Sequence, residues 1–217
     1  MVALDYDWSG SELPKDVARI DFDLRQLSHI PALVESLGDV LVLVNNAGRL
    51  YCPSPDALAT EGSLGFTAEM SMDILTTNLR APVALIEAVA PQMVARGKAS
   101  GGVGGRIVNV GSVSAFTGHP DIWYGASKAA LLNITKTFAG LLGKSGVLVN
   151  AVAPGPTLTD MYESLPQHRK DMVMALSYIG RPAQPAEVAE VILWLGTTSP
   201  EYTSGTTVDV NSGSYPR

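Results

Sequence analysis

"VLVLVNNAG", residues 40–48, is an apolar run that stops at two asparagines and a glycine. Such a run suits a strand buried on both faces, which is the habit of parallel sheets covered by helices. Runs of the same kind recur at "MVALD" (1–5), "ARIDF" (18–22), "RIVNV" (106–110), "VLVNAVA" (147–153) and "TTVDV" (206–210). Between them lie "LSHIPALVESLG", "AEMSMDILTTNLRAPVALIEAVAPQMVARG", "KAALLNITKTFAGLLG" and "AEVAEVILWLG", where apolar residues return every three or four positions. Strand and helix in regular alternation predict an α/β fold, a doubly wound parallel sheet with right-handed crossovers. Ligands on such sheets bind beyond the carboxyl ends of the strands, so the residues just past each strand end are the candidates for chemistry.

The chain has 217 residues and no Pro/Gly/Ser linker between separate halves, so residues 1–217 are expected to form a single domain. A net charge of -6 without a basic stripe argues against nucleic acid or an anionic membrane as partner. The single cysteine, Cys52, cannot form an intrachain disulfide and reads as structural. No apolar stretch approaches the roughly 18 residues that span a bilayer, and the N-terminus lacks the pattern of a secretory signal. The expected location is the cytoplasm. No metal is expected.

Two glycine-bearing strings imitate phosphate loops. "SGGVGG" (100–105) precedes a strand, whereas a phosphate-cradling turn must come after one, so it reads as a flexible turn. "GKS" (143–145) has Phe138 where a triphosphate loop needs glycine, and Gly143 reads as a helix C-cap. The informative clusters end the strands: Asp5, "NNAG" (45–48), "GSVS" (111–114) and "PGPTLTD" (154–160). All of them fall on one edge of the sheet. Beside them stand Asn78 in "TTNL" and the pentapeptide "YGASK" (124–128), whose Tyr124 and Lys128 share one helical face a turn apart. Alone, the pentapeptide would be the start of an amphipathic helix with a snorkelling lysine.

In order and spacing these motifs resemble the short-chain dehydrogenase/reductase family, over nearly the whole chain from Asp5 to "VDVNSGSYPR". The resemblance implies a Rossmann-type sheet and the interconversion of a secondary alcohol and a ketone with a nicotinamide cofactor. It makes Tyr124 the acid/base, Lys128 the residue that lowers its pKa and binds the nicotinamide ribose, Ser112 the substrate-orienting hydroxyl, and Asn78 the holder of a relay water. Ser114 is the alternative to Ser112. The chemistry is sensible: hydride addition to a carbonyl leaves an alkoxide that needs a proton, and a nearby cation makes a phenol a better acid.

For the cofactor, the resemblance places Asn46, Ala47 and Gly48 near the adenine ribose and phosphates. It places Asp23 and Leu24 near the adenine, and Pro154, Gly155, Thr157 and Thr159 around the carboxamide. Asp5, ending the first run with no arginine beside it, would accept hydrogen bonds from a ribose diol and repel a 2′-phosphate, which favours NAD over NADP. Asp7 is its competitor. "YTSGTTVDVNSG" and "RPAQPAEVA" resemble the 3-oxoacyl-carrier-protein reductase branch. Residues 156–184 form a long connection suited to substrate choice, with Met161, Leu165, Met172, Met174, Leu176 and Tyr178 for a carbon skeleton and His168, Arg169 and Lys170 for an anionic carrier. A homodimer or homotetramer is expected through the helices at 121–143 and 185–196.

One part of the family pattern has no counterpart: the opening strand, the glycine-rich turn T-G-x-x-x-G-x-G and the first helix. That strand is central in the implied order 3-2-1-4-5-6-7, so the sheet is expected to open between "MVALD" and "VLVLV". Three explanations stand open: a longer gene product with an earlier start; a naturally short, silent homologue serving as an oligomer subunit, with "MVALD" moved into the vacant slot; or weak dinucleotide binding through the remaining contacts.

Overall fold

All six apolar runs form strands. The computed structural model describes residues 1–5, 14–51 and 57–216, so Asp7 and Cys52 lie outside the described residues. In chain order the elements are β1 (Val2–Asp5), β2 (Ala18–Asp21), α1 (Ile30–Leu37), β3 (Val42–Asn45), α2 (Ala57–Glu61), α3 (Ala68–Leu75) and α4 (Ala81–Ser100). Next come β4 (Gly105–Val110), α5 (Ser114–Thr117), α6 (Ile122–Leu142), β5 (Val147–Pro154), α7 (Asp160–Glu163), α8 (Gln167–Met174), α9 (Pro185–Gly196) and β6 (Thr207–Val210). Among the described residues no helix is long and apolar enough to cross a membrane.

Strands β3-β4-β5-β6 form one parallel sheet, with Asn45 beside Asn109, Val110 beside Val152 and Pro154 beside Val210. Side chains alternate across it. Ile107, Val147 and Val149 pack with Ile30 and Val34 of α1 and Leu85, Ile86, Val89 and Met93 of α4. Val108, Val110 and Val152 turn the other way, onto Leu195, Val191 and Ile192 of α9. Both faces of the sheet are therefore covered, as the continuous apolar runs require.

The sheet is split where the expected opening lies. β1 and β2 pair in parallel as a separate two-stranded sheet, and among the described residues no ladder joins β1 to β3. β1 has not moved into the slot beside β3, so that form of the short-homologue explanation is not the one adopted. Val42 and Val44 of β3 remain 39% and 41% exposed, unlike the buried valines of β4 and β5. What holds the small sheet in place is its exit: Phe22, Leu24 and Leu27 pack on the α1/α4 core.

The string "SGGVGG" is a turn, as expected, but a close-packed one. Gly101 caps α4 in the left-handed conformation, and a side chain at Gly104 would meet the Met93 carbonyl at 2.1 Å. Its glycines serve tight backbone approach. Gly143 caps α6 and leads into the one-turn segment Gly143–Ser145, with no phosphate-loop geometry.

Candidate active site

Four elements bring their polar residues to the carboxyl edge of the large sheet. Ser112 lies just past β4 and is 8% exposed. Its Oγ accepts the Ser114 N–H at 3.1 Å, which leaves the hydroxyl hydrogen free for another acceptor. Tyr124 stands in the first turn of α6, its phenol pushed above the ordinary value by burial first of all. The Ser112 hydrogen bond works against that rise and the charge of Asp121 adds to it.

Lys128 lies one turn further along α6, with Nζ 5.8 Å from the centre of the Tyr124 ring. Nζ donates to the Val110 carbonyl at 2.7 Å, and burial pushes the ammonium down to about 8. In the protein by itself, then, Tyr124 is held up, where the resemblance implies a pKa lowered by Lys128. The reason is desolvation of the site, which exceeds any pull exerted across the ring. Gly48, from the loop after β3, approaches the same ammonium so closely that a side chain there would sit 3.3 Å from Nζ. The "NNAG" loop and the lysine thus meet.

A depressed lysine has a definite stability consequence. The unfolded chain, with its lysine near 10.5, binds more protons than the folded one between about pH 8 and 10.5. The cost of the buried charge is full below pH 8 and is relieved as pH rises through that window. Relative to Lys128→Met, the wild type should gain about 2 kcal/mol between pH 7.5 and pH 10, at 1.36 kcal/mol per pKa unit. Urea unfolding of both proteins at the two pH values measures it. Parallel stabilities would refute the desolvated ammonium.

Asn78 sits in a π-helical turn, Thr76–Arg80, between α3 and α4. Pro82 brings no N–H to the carbonyls one turn back, and this is where the turn widens. The Asn78 side chain is fully buried and fully used. Its Oδ1 accepts Arg49 N–H at 2.7 Å, and its Nδ2 donates to the Arg49 carbonyl at 2.9 Å and to Ser127 Oγ at 3.0 Å. Ser127 in turn donates to the Tyr124 carbonyl.

The residues expected around a cofactor divide. Asn46, Ala47 and Gly48 form an exposed loop at the carboxyl edge. Pro154 and Gly155 end β5, and Gly155 packs on Asn211 at the end of β6, where a Cβ would stand 3.0 Å away. Thr157 Oγ1 donates to the Gly155 carbonyl and Thr159 Oγ1 to the Thr157 carbonyl, which folds this segment back over the edge. Asp23 is engaged otherwise: its carboxylate accepts from the Arg25 backbone and guanidinium, the latter at 2.6 Å, and this holds it below the usual carboxylate range. Leu24 is packed into the core. Asp5 ends β1 opposite Asp21, in the separate sheet.

Several residues at the site were not singled out from the sequence. Arg25 Nη1 reaches Asp73 at 3.1 Å and Arg49 Nε reaches it at 2.7 Å. The Tyr51 hydroxyl donates to the same carboxylate at 2.6 Å. This cluster ties β2's exit, the loop after β3 and α3 together. Asp121, fully buried, caps α6, and Ser127 links Asn78 to that helix. The capping position of Asp121, three residues before Tyr124, was legible by ordinary helix-start rules; the Asp73 cluster left no local signal.

The Oδ1 of Asn45, which opens the "NNAG" loop at the sheet edge, is a buried acceptor without a hydrogen-bond partner among the described residues, a group that a bound dinucleotide could satisfy. Among the described residues there is no glycine-rich turn placed after a strand and opening a helix, the usual cradle of a pyrophosphate.

A family model described as enoyl-(acyl carrier protein) reductase matches residues 10–214. The 3-oxoacyl-acyl-carrier-protein reductase FabG of Pseudomonas aeruginosa is 34% identical over 207 residues, covering 95% of this chain and 77% of the relative. A solved short chain dehydrogenase/reductase family protein is 31% identical with a TM-score of 0.81, covering 99% of this chain and 86% of its own. A blue fluorescent protein from a metagenomic library, solved in complex with NADPH, is 30% identical with a TM-score of 0.77, covering 92% and 76%. With a sheet edge that gathers serine, tyrosine and lysine, and with likeness along almost its whole length, the chain belongs to the short-chain dehydrogenase/reductase family of NAD(P)-dependent oxidoreductases.

Proposed function

We propose that the protein interconverts a secondary alcohol and a ketone, with Tyr124 as acid/base, and that a 3-oxoacyl thioester is its substrate class. The observation that carries the reading is the Lys128 ammonium, buried 5.8 Å from the centre of the Tyr124 ring with Gly48 against it, at the sheet edge that also carries buried Ser112. When bound, a nicotinamide supplies or accepts the hydride. Ser112 donates to the carbonyl oxygen and holds it in line with the phenol. Tyr124, kept protonated by burial, delivers a proton to that oxygen, and Lys128 stabilises the phenolate left behind. Asn78 fixes the distance between the loop after β3 and α6. Asn46, Ala47, Gly48, Pro154, Gly155, Thr157 and Thr159 hold the cofactor; Asp23 joins them only if Arg25 gives up its carboxylate.

The preference for NAD over NADP we place on Asp5, the carboxylate that ends β1, able to accept hydrogen bonds from a ribose diol and to repel a 2′-phosphate. The FabG likeness supports the substrate class, and the exposed Met161, Met172, Leu176 and Tyr178 support an apolar partner for residues 156–184. Exposed Ile122, Leu141, Leu193 and Trp194 on α6 and α9 support a homodimer or homotetramer of single-domain chains, working in the cytoplasm. The test monitors absorbance of NADH and of NADPH with a short 3-oxoacyl thioester and with simple ketones. The expected result is consumption with the thioester and the faster rate with NADH. No consumption with any of these carbonyl compounds would sink the reaction, and equal or faster turnover with NADPH would sink the role of Asp5.

A further inference from the structure

The buried carboxylate of Asp121 has a geometry that capping alone does not require. Oδ1 accepts the Tyr124 N–H at 2.9 Å, which is the helix cap. Oδ2 accepts the Tyr51 N–H at 2.7 Å, seventy residues away in the loop that comes after "NNAG". Its own backbone N–H donates to His119 Nδ1 at 3.1 Å, which fixes that ring as the neutral tautomer with the proton on Nε2. The His119 ring stacks obliquely on Tyr124 with centres 5.0 Å apart. Serine, threonine or asparagine can cap a helix, but only a carboxylate offers two acceptor oxygens in one rigid plane. Here the two oxygens serve two different segments of backbone.

We infer that Asp121 is a positioning residue that ties the cofactor-facing loop after β3 to the first turn of α6 and so sets the placement of Tyr124 relative to Gly48 and Lys128. The inference rests on the reading of Tyr124 as acid/base. The main chain of the loop is held by side chains at Arg49, by Asn78, and at Tyr51, by Asp121, while the Arg49 and Tyr51 side chains reach Asp73. Asp121 lies three residues from the phenol-bearing position. The carboxylate has no exposed surface. Two backbone N–H groups and the amino end of a 21-residue helix compensate its charge.

The charges bearing on Tyr124 make the effect readable. Lys128 faces it from α6, Ser112 from the end of β4, and His119 from the turn before α6, with Arg169 of α8 acting on His119. Asp73, from α3, is occupied by Arg25, Arg49 and Tyr51. Asp121 is the anion that raises the phenol.

Asp121→Asn separates tether from cap. The amide oxygen can still cap Tyr124, but the –NH2 then faces the Tyr51 N–H, donor against donor. Asp121→Ser is the second variant, able to cap and carrying no charge. The expected results are Tyr51 amide exchange at least about tenfold faster with the Tyr124 amide still protected, and a Tyr124 titration moved to lower pH. The titration is read by carbon NMR of ring-labelled tyrosine, with Tyr124→Phe supplying the assignment. Turnover should fall by about tenfold to a hundredfold, as a misplaced reacting group does. If a folded variant leaves both the Tyr51 exchange and the Tyr124 titration unchanged, the tether is wrong. A turnover loss that only tracks the unfolded fraction overturns it too. Exchange and titration need no activity, so failure of the catalytic reading, seen as full turnover in Tyr124→Phe, is distinguishable from failure of this one.

Discussion

Tyr124→Phe is expected to lower turnover by about a thousandfold, within the roughly 10²–10⁴ that a positioned acid or base contributes, while NADH affinity stays within about twofold. The ring remains to fill its place against His119 and Lys128, so packing is kept and only the proton is lost. The pH dependence gives the second check. Burial holds the phenol protonated well above neutrality, so ketone reduction should be steady through neutral pH. It should then decline in two parts, first as Lys128 loses its charge near pH 8 and then as the phenol ionises. Residual reduction by the Phe variant should lack the phenol-linked part. An unchanged rate, or a residual profile with both parts intact, would move the acid/base role to another group. Stopped-flow absorbance of NADH separates the chemical step from product release.

The strands were legible because the signal for a doubly buried strand is local: a run of valine, leucine and isoleucine long enough to cross a sheet and no longer. Helices α2, α5, α7 and α8 were not, since each is short, and α8, "QHRKDMVM", shows no apolar stripe. The site divides on the same principle. Tyr124 and Lys128 lie a helical turn apart, so their shared face came from spacing, and Ser112 and Gly48 came from the ends of strands. The pairing of Asp121 with Tyr51, or of Asp73 with Arg25 and Arg49, joins residues far apart in sequence through loops whose path no periodicity fixes. The capture of Asp23 by Arg25 is a contact two residues long and was within reach: an arginine placed so near competes with any adenine for that carboxylate.

Placing the strand and T-G-x-x-x-G-x-G turn of the family, with the helix that comes after it, ahead of Met1 is expected to tighten NADH binding by roughly a hundredfold or more. On the proposed reading, residues 1–217 by themselves meet a dinucleotide at the ribose and nicotinamide, on the side where Gly48 approaches Lys128 and Lys128 faces Tyr124. The pyrophosphate, with two charges, has no cradle of backbone N–H groups among the described residues. Charged hydrogen bonds contribute about 1.5–3 kcal/mol each, and about 1.4 kcal/mol is a factor of ten, so two or three of them account for the change. The split sheet adds to it. The side of β3 away from β4 carries exposed Val42 and Val44 and, among the described residues, no ladder, and β1 lies in the separate two-stranded sheet. A parallel strand laid between β1 and β3 would join the two sheets, satisfy their open backbone groups and hold Asp5 and the "NNAG" loop at a fixed separation. Activity should therefore rise by more than affinity does, because the reacting groups are ordered along with the phosphate site. Titration of NADH fluorescence against the 217-residue chain and the extended one measures the first effect, and 3-oxoacyl thioester reduction under saturating NADH measures the second. Equal affinities would mean that another part of this chain, within the described residues or outside them, already holds the pyrophosphate.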